Sequence, residues 1–228
     1  MSGGKIRALA QAKREKQVGR KLNRQEKAAL NRTAFIDAAA QVIGAVGYEK
    51  ASIAKIAEAA GLAHGTFYLY FTDRQELFDQ ILPLKGLEIM RFLRNEVREA
   101  TTVIEMERLG LLGFQKYIER SPWFFRLLHE GRSATPKGHA THMSNLVTAF
   151  KRALRRWQSQ GQLPDFTDEQ LETLSLLMIG ARDYLFVKTT VEGPVFQPLT
   201  ESKLEVYLTV LESGILGEDA AGARRTGS

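Results

Sequence analysis

The chain has 228 residues, 44% of them hydrophobic and 25% charged, with a net charge of +6 and no cysteine. That composition carries enough apolar material for a core and excludes a chain disordered throughout. The absence of cysteine excludes a disulfide framework, thiolate zinc sites, iron–sulfur ligation and a cysteine nucleophile.

The charge is uneven. Residues 1–32 hold ten basic and two acidic residues, a local net charge of +8, so the rest of the chain is slightly acidic. An arm of this kind seeks a polyanion. It lacks the apolar face of an interfacial helix, so nucleic acid is expected over a membrane. Arg20, Lys21 and Arg24 are the arm residues expected on nucleic acid. No run of about 18 apolar residues offers a membrane span, and the N-terminus lacks the apolar stretch of a secretory signal. A cytoplasmic chain is expected.

Beyond the arm, helical periodicity dominates and strand signals are nearly absent. A first helix places Phe35, Ala38, Ala39, Val42, Ile43 and Val46 on one face and stops at Gly47. Ser52 caps a short second helix with Ile53, Ile56, Ala57 and Ala60 inward. A glycine turn at Gly61 leads to a third helix from about Ala63 to Tyr70. Asp73 caps a fourth, with Glu76 at the reciprocal capping-box position and Pro83 predicting a kink. Helices follow near 103–119, from Ser121-Pro122 to about Glu130, and over about 139–160, the last preceded by GRSATPKGHAT as the longest predicted loop. Thr167 and Gln170 form a capping box for a long helix to about Val191. EGPVFQP reads as a connector, and Thr200 caps a last helix to about Gly214. The expected fold class is all-α.

Two short helices, a glycine turn and a third helix describe a helix-turn-helix. The small face Ala57, Ala59, Ala60 and Gly61 lets the third helix cross closely. In that third helix His64 and Tyr68 share one face, while Phe67 and Phe71 share another that should be buried. Gly65 lowers helix propensity, and close approach of a nucleic-acid backbone is the compensation it suggests. Ser52 and the tyrosines also have plain structural readings, as a helix cap and as core-edge aromatics.

The stretch from Thr33 to about Phe78 resembles the DNA-binding domain of TetR-family transcriptional regulators. It carries AAAQVIGAVGYEKASIAKIAEAAGL, then GTFYLYF, then DRQELF. Gly65, Thr66, Phe67, Tyr68, Tyr70, Phe71, Arg74, Glu76 and Leu77 match the family pattern. The resemblance implies a phosphate contact at Ser52, base-edge and phosphate contacts at His64, Gly65 and Thr66, phosphate contacts at Tyr68 and Tyr70, and a backbone clamp at Arg74. Two positions depart from the pattern: Ala63 stands where a Ser or Thr cap is usual, and His64 where Lys, Arg or Pro is common.

The domains then read as a basic arm over 1–32, a helix-turn-helix domain over 33–79, a ligand-binding and dimerisation domain over 80–217, and a tail over 218–228. The resemblance implies a repressor released from a palindromic operator by a small-molecule inducer, working as a homodimer and without a cofactor or catalytic residues. The candidate ligand-binding residues are Phe92, Phe114, Tyr117, Trp123, Leu127, Met178, Arg182 and Tyr184. Arg182 and Asp183 interrupt an apolar run, so they should be paired or functional. Arg182 is open to two roles, holding a ligand anion or bridging across a dimer. Gly180, Ala181 and the stripe Leu204, Tyr207, Leu208 and Leu211 suggest a two-fold helical interface. SPWFFRLLHEG and LLMIGARDYLF are similar to TetR regulators that sense acyl-CoA thioesters. His129, His139 and His142 lack the spacing of a metal set, so no metal is expected. Two other functions stay open: a non-specific DNA binder driven by the arm, and a helical ligand-binding protein in which DNA binding is secondary.

Overall fold

The computed structural model describes residues 23–190 and 193–216. Arg20 and Lys21 lie outside them. The chain divides into two compact units. One comprises the described residues up to Lys85 with Ser121–His142; the other comprises Gly86–Arg120 with the residues from Met143 onward. The fold is helical, apart from one short hairpin among the described residues.

In the first unit, α1 spans Arg24–Lys50. Its start is fixed by a capping box: Glu26 N–H donates to Asn23 Oδ1 (2.8 Å) and Asn23 N–H to Glu26 Oε2 (2.9 Å). Gly47, at φ 81° and ψ 165°, breaks the helical run near its end, in backbone space that favours glycine. α2 (Ile53–Ala60) is capped by Ser52, whose Oγ accepts from Lys55 N–H at 3.3 Å. It ends at Gly61, left-handed at φ 64°. The third element is a 3₁₀ turn, His64–Leu69, where an α-helix was predicted. Ala63 supplies no side-chain cap, Gly65 weakens helix propensity, and the segment is six residues long. What fixes it is tertiary packing. Phe67 meets the Phe35 ring edge-on at 5.5 Å, and Phe71 meets it at 6.2 Å.

α3 (Arg74–Glu96) starts with Glu76 N–H on Asp73 Oδ1 (2.8 Å). The reciprocal half of the expected box is displaced by one residue, because Glu76 accepts from Thr72 N–H and Oγ1–H at 2.7 and 2.8 Å. α3 continues through Pro83. Proline has no N–H for the Asp79 carbonyl four residues back, and Gly138 lies against that carbonyl, where a Cβ would fall 2.7 Å from the oxygen. α5 (Trp123–Ala134) is the main partner of α1. Tyr48 N–H donates to Glu130 Oε2 (3.0 Å), Tyr48 Oη–H to the Leu127 carbonyl (3.3 Å), and Arg126 bridges to Glu130 (2.5 Å). The loop predicted at GRSATPKGHAT is absent. Thr135 alone separates α5 from α6 (Pro136–Ser159), because Pro136 suits a first helical position. Thr135 Oγ1 also bonds Asp79 Oδ1 at 2.5 Å.

In the second unit α4 (Val103–Arg120), the later part of α6, α7 (Asp168–Leu185) and α8 (Glu201–Leu211) enclose two apolar clusters. One centres on Val103, Met106, Leu154, Trp157, Leu171, Leu174 and Met178; the other on Leu111, Phe186, Leu204 and Leu208. The expected capping box at Thr167 and Gln170 forms. The predicted end of α7 near Val191 and the predicted connector are both corrected: α7 stops at Leu185, and β1 (Val187–Thr190) pairs antiparallel with β2 (Gly193–Phe196), Val187 opposite Phe196. The β-branched run there favours extended backbone. Phe186 stacks on Phe196 at 5.8 Å, and Gln197 N–H donates to the Phe186 carbonyl (2.8 Å). α8 ends at Leu211, and Glu212–Leu216 forms a π-type turn.

Candidate nucleic-acid interface and buried polar cluster

The first unit presents a compact exposed edge. Phe67 and Phe71 hold the 3₁₀ segment from below, and His64, Tyr68 and Leu69 turn outward. His64, Gly65 and Tyr68 are exposed, Tyr68 at 55%, and the His64 and Tyr68 rings lie 5.8 Å apart. Nothing lies within 4 Å of a Cβ placed on Gly65, so the backbone there is open to close approach. Leu69, at 76% exposure, is an outward residue that sequence reasoning missed. The signal was available, since it falls between two tyrosines on a segment whose inward positions are both phenylalanine.

Three expected contact residues also serve the fold. Ser52 is the α2 cap. Tyr70 is half-buried, its ring 6.0 Å from Phe35, and its hydroxyl accepts from Asn31 Nδ2 at 3.2 Å. Arg74 Nη1 donates to the Glu49 carbonyl (3.2 Å) with its guanidinium 5.3 Å from the Phe78 ring centroid. Lys55 Nζ donates to the Lys50 carbonyl at 3.1 Å. The carbonyl-rich end of α1 therefore holds two cations at the border of that edge. Lys55 was not singled out from sequence, although it sits three residues from Ser52. Thr66 is half-buried, and Arg24 is exposed on the first turn of α1.

The eight candidate ligand residues are divided between the two units. Trp123 and Leu127 belong to the first unit, where Trp123 lies against Gly44 and Leu127 is fully buried. In the second unit Phe92 meets Tyr117 at 5.6 Å, and burial with nearby Glu88 pushes the Tyr117 phenol up to about 12. Phe114 packs on Phe186 at 5.1 Å. Tyr184 is 80% exposed. Met178 borders a void of about 10 Å³, shared with Val103, Ile104, Leu154, Leu163, Leu174 and Leu211. That is room for about one water.

Arg182 is paired inside the chain. Its Nε and Nη2 donate to Glu107 Oε1 (3.1 Å) and Oε2 (2.5 Å), and Tyr207 Oη–H donates to Glu107 Oε1 at 3.0 Å. The guanidinium lies 4.9 Å from the Phe150 ring centroid. Glu107 is fully buried, and Asp183 is exposed. Glu107 and Tyr207 were missed as members of this cluster. The available signal was a carboxylate on the inward face Val103, Met106, Gly110 and Leu111 of α4. Burial and the adjacent carboxylate hold the Tyr207 phenol well above its ordinary range, so it stays a donor. The stripe expected at a dimer interface is also corrected: Leu204 and Leu208 are buried in the second unit's own core, while Val206 and Val210 of α8 and Leu176 and Leu177 of α7 are exposed. Among the described residues no three His, Asp or Glu side chains form a metal set, and no helix is long and apolar enough to cross a membrane.

Residues 35–81 match the sequence profile of bacterial regulatory proteins of the tetR family. The fatty acid metabolism regulator protein of Bacillus subtilis (strain 168) is 34% identical over 78 residues, which is 34% of this chain and 39% of that protein, so the match spans about two fifths of the relative. The fold is similar to that of the transcriptional regulator FadR from Bacillus subtilis in complex with stearoyl-CoA (TM-score 0.58, 21% identity, 66% of this chain and 82% of that one). It is also similar to that of AibR in complex with isovaleryl coenzyme A and operator DNA (TM-score 0.54, 17% identity, 79% and 97%).

Proposed function

We infer, from an amino-terminal domain that belongs to the TetR family, that the chain is a sequence-specific DNA-binding repressor released by a small-molecule ligand. The observation that carries this reading is the 3₁₀ segment, anchored inward by Phe67 and Phe71 and outward-facing at His64, Gly65 and Tyr68. A reading element needs a rigid base and polar tips to meet base edges. Tyr68, Thr66 and His64 supply the tips, and Lys55 and Arg74 supply charge beside them for the phosphates.

The ligand reading is an acyl thioester. It is supported by the apolar interior of the second unit and by the ligands named for two proteins of the same fold. The interior has to open to admit an acyl chain, so the ligand binds an opened state better than the closed one and shifts the population toward it. A second copy of the chain, covering Leu176, Leu177, Val206 and Val210, would present two reading segments to a palindrome about 34–36 Å apart. The protein would act on cytoplasmic DNA.

The test is binding to the intergenic DNA upstream of its own gene against a scrambled duplex, at about 150 mM salt because phosphate contacts are salt-dependent. A strong preference for the native duplex, lost on adding an acyl thioester, is the expected result. Equal binding to both duplexes, or turnover of the thioester, would overturn the reading.

A further inference from the structure

Glu107, Arg182, Tyr207 and Phe150 stand in a fixed relation to the apolar void. Val103, Met178, Leu211 and Leu154 line that void. Each is four residues, about one helical turn, from one member of the polar cluster: Val103 from Glu107, Met178 from Arg182, Leu211 from Tyr207 and Leu154 from Phe150. The four contributing helices thus carry an apolar layer and, one turn along, a polar layer in which Glu107 is fully buried and Arg182, Tyr207 and Phe150 are half-buried. Gly110 makes room for the guanidinium in that layer, since a Cβ there would fall 2.7 Å from Arg182 Nη2.

The charge of the polar layer is balanced. Arg182 brings one positive charge, Glu107 one negative charge, and the two are joined by two hydrogen bonds inside the protein. The guanidinium carries five N–H donors, of which Glu107 takes two, so donors remain for a neutral acceptor. A second carboxylate would face Glu107 in a low-dielectric interior, where like charges repel strongly and neither is solvated.

We propose that the Glu107–Arg182–Tyr207 cluster selects the head of the acyl ligand by charge, admitting the neutral carbonyl of a thioester and rejecting the carboxylate of the free acid. Glu107 is then a specificity-determining residue: by neutralising Arg182 it removes the anion site that a lone buried arginine would create. The acyl chain occupies the apolar layer as the helices part, and its carbonyl meets the remaining donors of the polar layer. This inference rests on the acyl reading of the ligand given above and adds the form of the head group.

The experiment is calorimetric titration of the full chain with an acyl series. Each length is offered as the free acid and as the thioester of N-acetylcysteamine, which is neutral and lacks the coenzyme's phosphates. The wild type is expected to favour the thioester by about tenfold or more, the scale of a like-charge penalty in a buried interface. Glu107→Gln, nearly isosteric, leaves Arg182 unneutralised and is expected to shift the acid-to-thioester ratio toward the acid by about tenfold or more. The double variant Glu107→Gln/Arg182→Gln restores a neutral layer and should lose that gain. Equal wild-type binding of acid and thioester overturns the proposal without any variant. So does an unchanged ratio in folded Glu107→Gln, or a gain that survives loss of Arg182. If the wild type binds neither form at any length, the acyl reading itself fails and the head-group inference falls with it.

Discussion

At the scale of single residues, the two tyrosines of the reading segment separate cleanly. Tyr68 is mostly exposed, its ring meeting His64 and Phe67, whereas the Tyr70 hydroxyl is engaged by Asn31. Tyr68→Phe should therefore weaken operator binding severalfold and leave the melting temperature unchanged. Tyr70→Phe should lower folding stability by about 0.5–1.5 kcal/mol, the net worth of one hydrogen bond. Mobility-shift titration and thermal melting distinguish them, and a stability loss confined to Tyr68→Phe would reverse the assignment. The sequence pattern places both tyrosines on the same motif; it cannot tell them apart, because Asn31 is 39 residues away in the chain. His142 offers a second case. It is buried, its Nδ1 finds no hydrogen-bond partner among the described residues, and burial with nearby His139 pushes it down to about 4. The folded state therefore stays neutral at His142 while the unfolded chain takes up a proton near pH 6.5. Stability is full above that value and falls as pH drops toward 4, by up to about 3 kcal/mol. Glu76, Glu105 and Asp168 have their carboxyls held below the usual range, so they lose their contribution only at lower pH. Urea unfolding between pH 6.5 and 5 should show the slope in the wild type and a flat profile in His142→Leu.

At the scale of elements, what was legible is what local chemistry decides. The caps at Ser52, Asp73, Thr167 and Thr200 all form, because a side-chain oxygen three residues before a free N–H satisfies it whatever lies beyond. The hairpin after α7 was not legible. Val187–Thr190 follows a strong helical run, and the strand pairing and the stacking of Phe186 on Phe196 that accompany the hairpin link segments no local pattern connects. The reading segment lies between these cases: its position was readable, and its 3₁₀ winding was not, since packing on Phe35 overrides weak helix propensity. That dependence on packing makes a prediction. Phe67→Ala removes a fully buried ring from contact with Phe35, Tyr68 and Phe71 and should cost about 3–5 kcal/mol. Leu69→Ala, two residues on and facing outward, should change stability by no more than about 0.5 kcal/mol. Chemical denaturation of the pair checks whether the segment is held by its inward face alone; equal losses would mean that Leu69 is covered.

At the scale of the whole molecule, the division into units was only partly legible. Ser121–His142 belongs to the first unit although it is distant from it in sequence, because Trp123, Leu127 and Glu130 complete the surroundings of α1. No local pattern states that partnership. The basic arm poses the remaining question of how much binding energy is sequence-independent. The structure fixes where the arm can be removed. Asn23 caps α1, and Asn31 and Arg32 bond Tyr70 and Gln80, so a cut after residue 32 would damage the reading unit along with the arm. A chain lacking residues 1–22 keeps those contacts and discards seven of the ten basic residues of the arm segment. If four of the removed cations meet phosphate, counterion release makes the full chain's log–log salt slope steeper by roughly 3.6 than that of the shortened one. If base-edge contacts reside on the 3₁₀ segment as proposed, operator preference over a scrambled duplex should survive the cut, because phosphate contacts carry no sequence information. Affinity should fall equally for both duplexes. If the preference itself disappears with residues 1–22, the arm reads sequence, as an arm inserted into a minor groove does, and the 3₁₀ segment is not the sole reader.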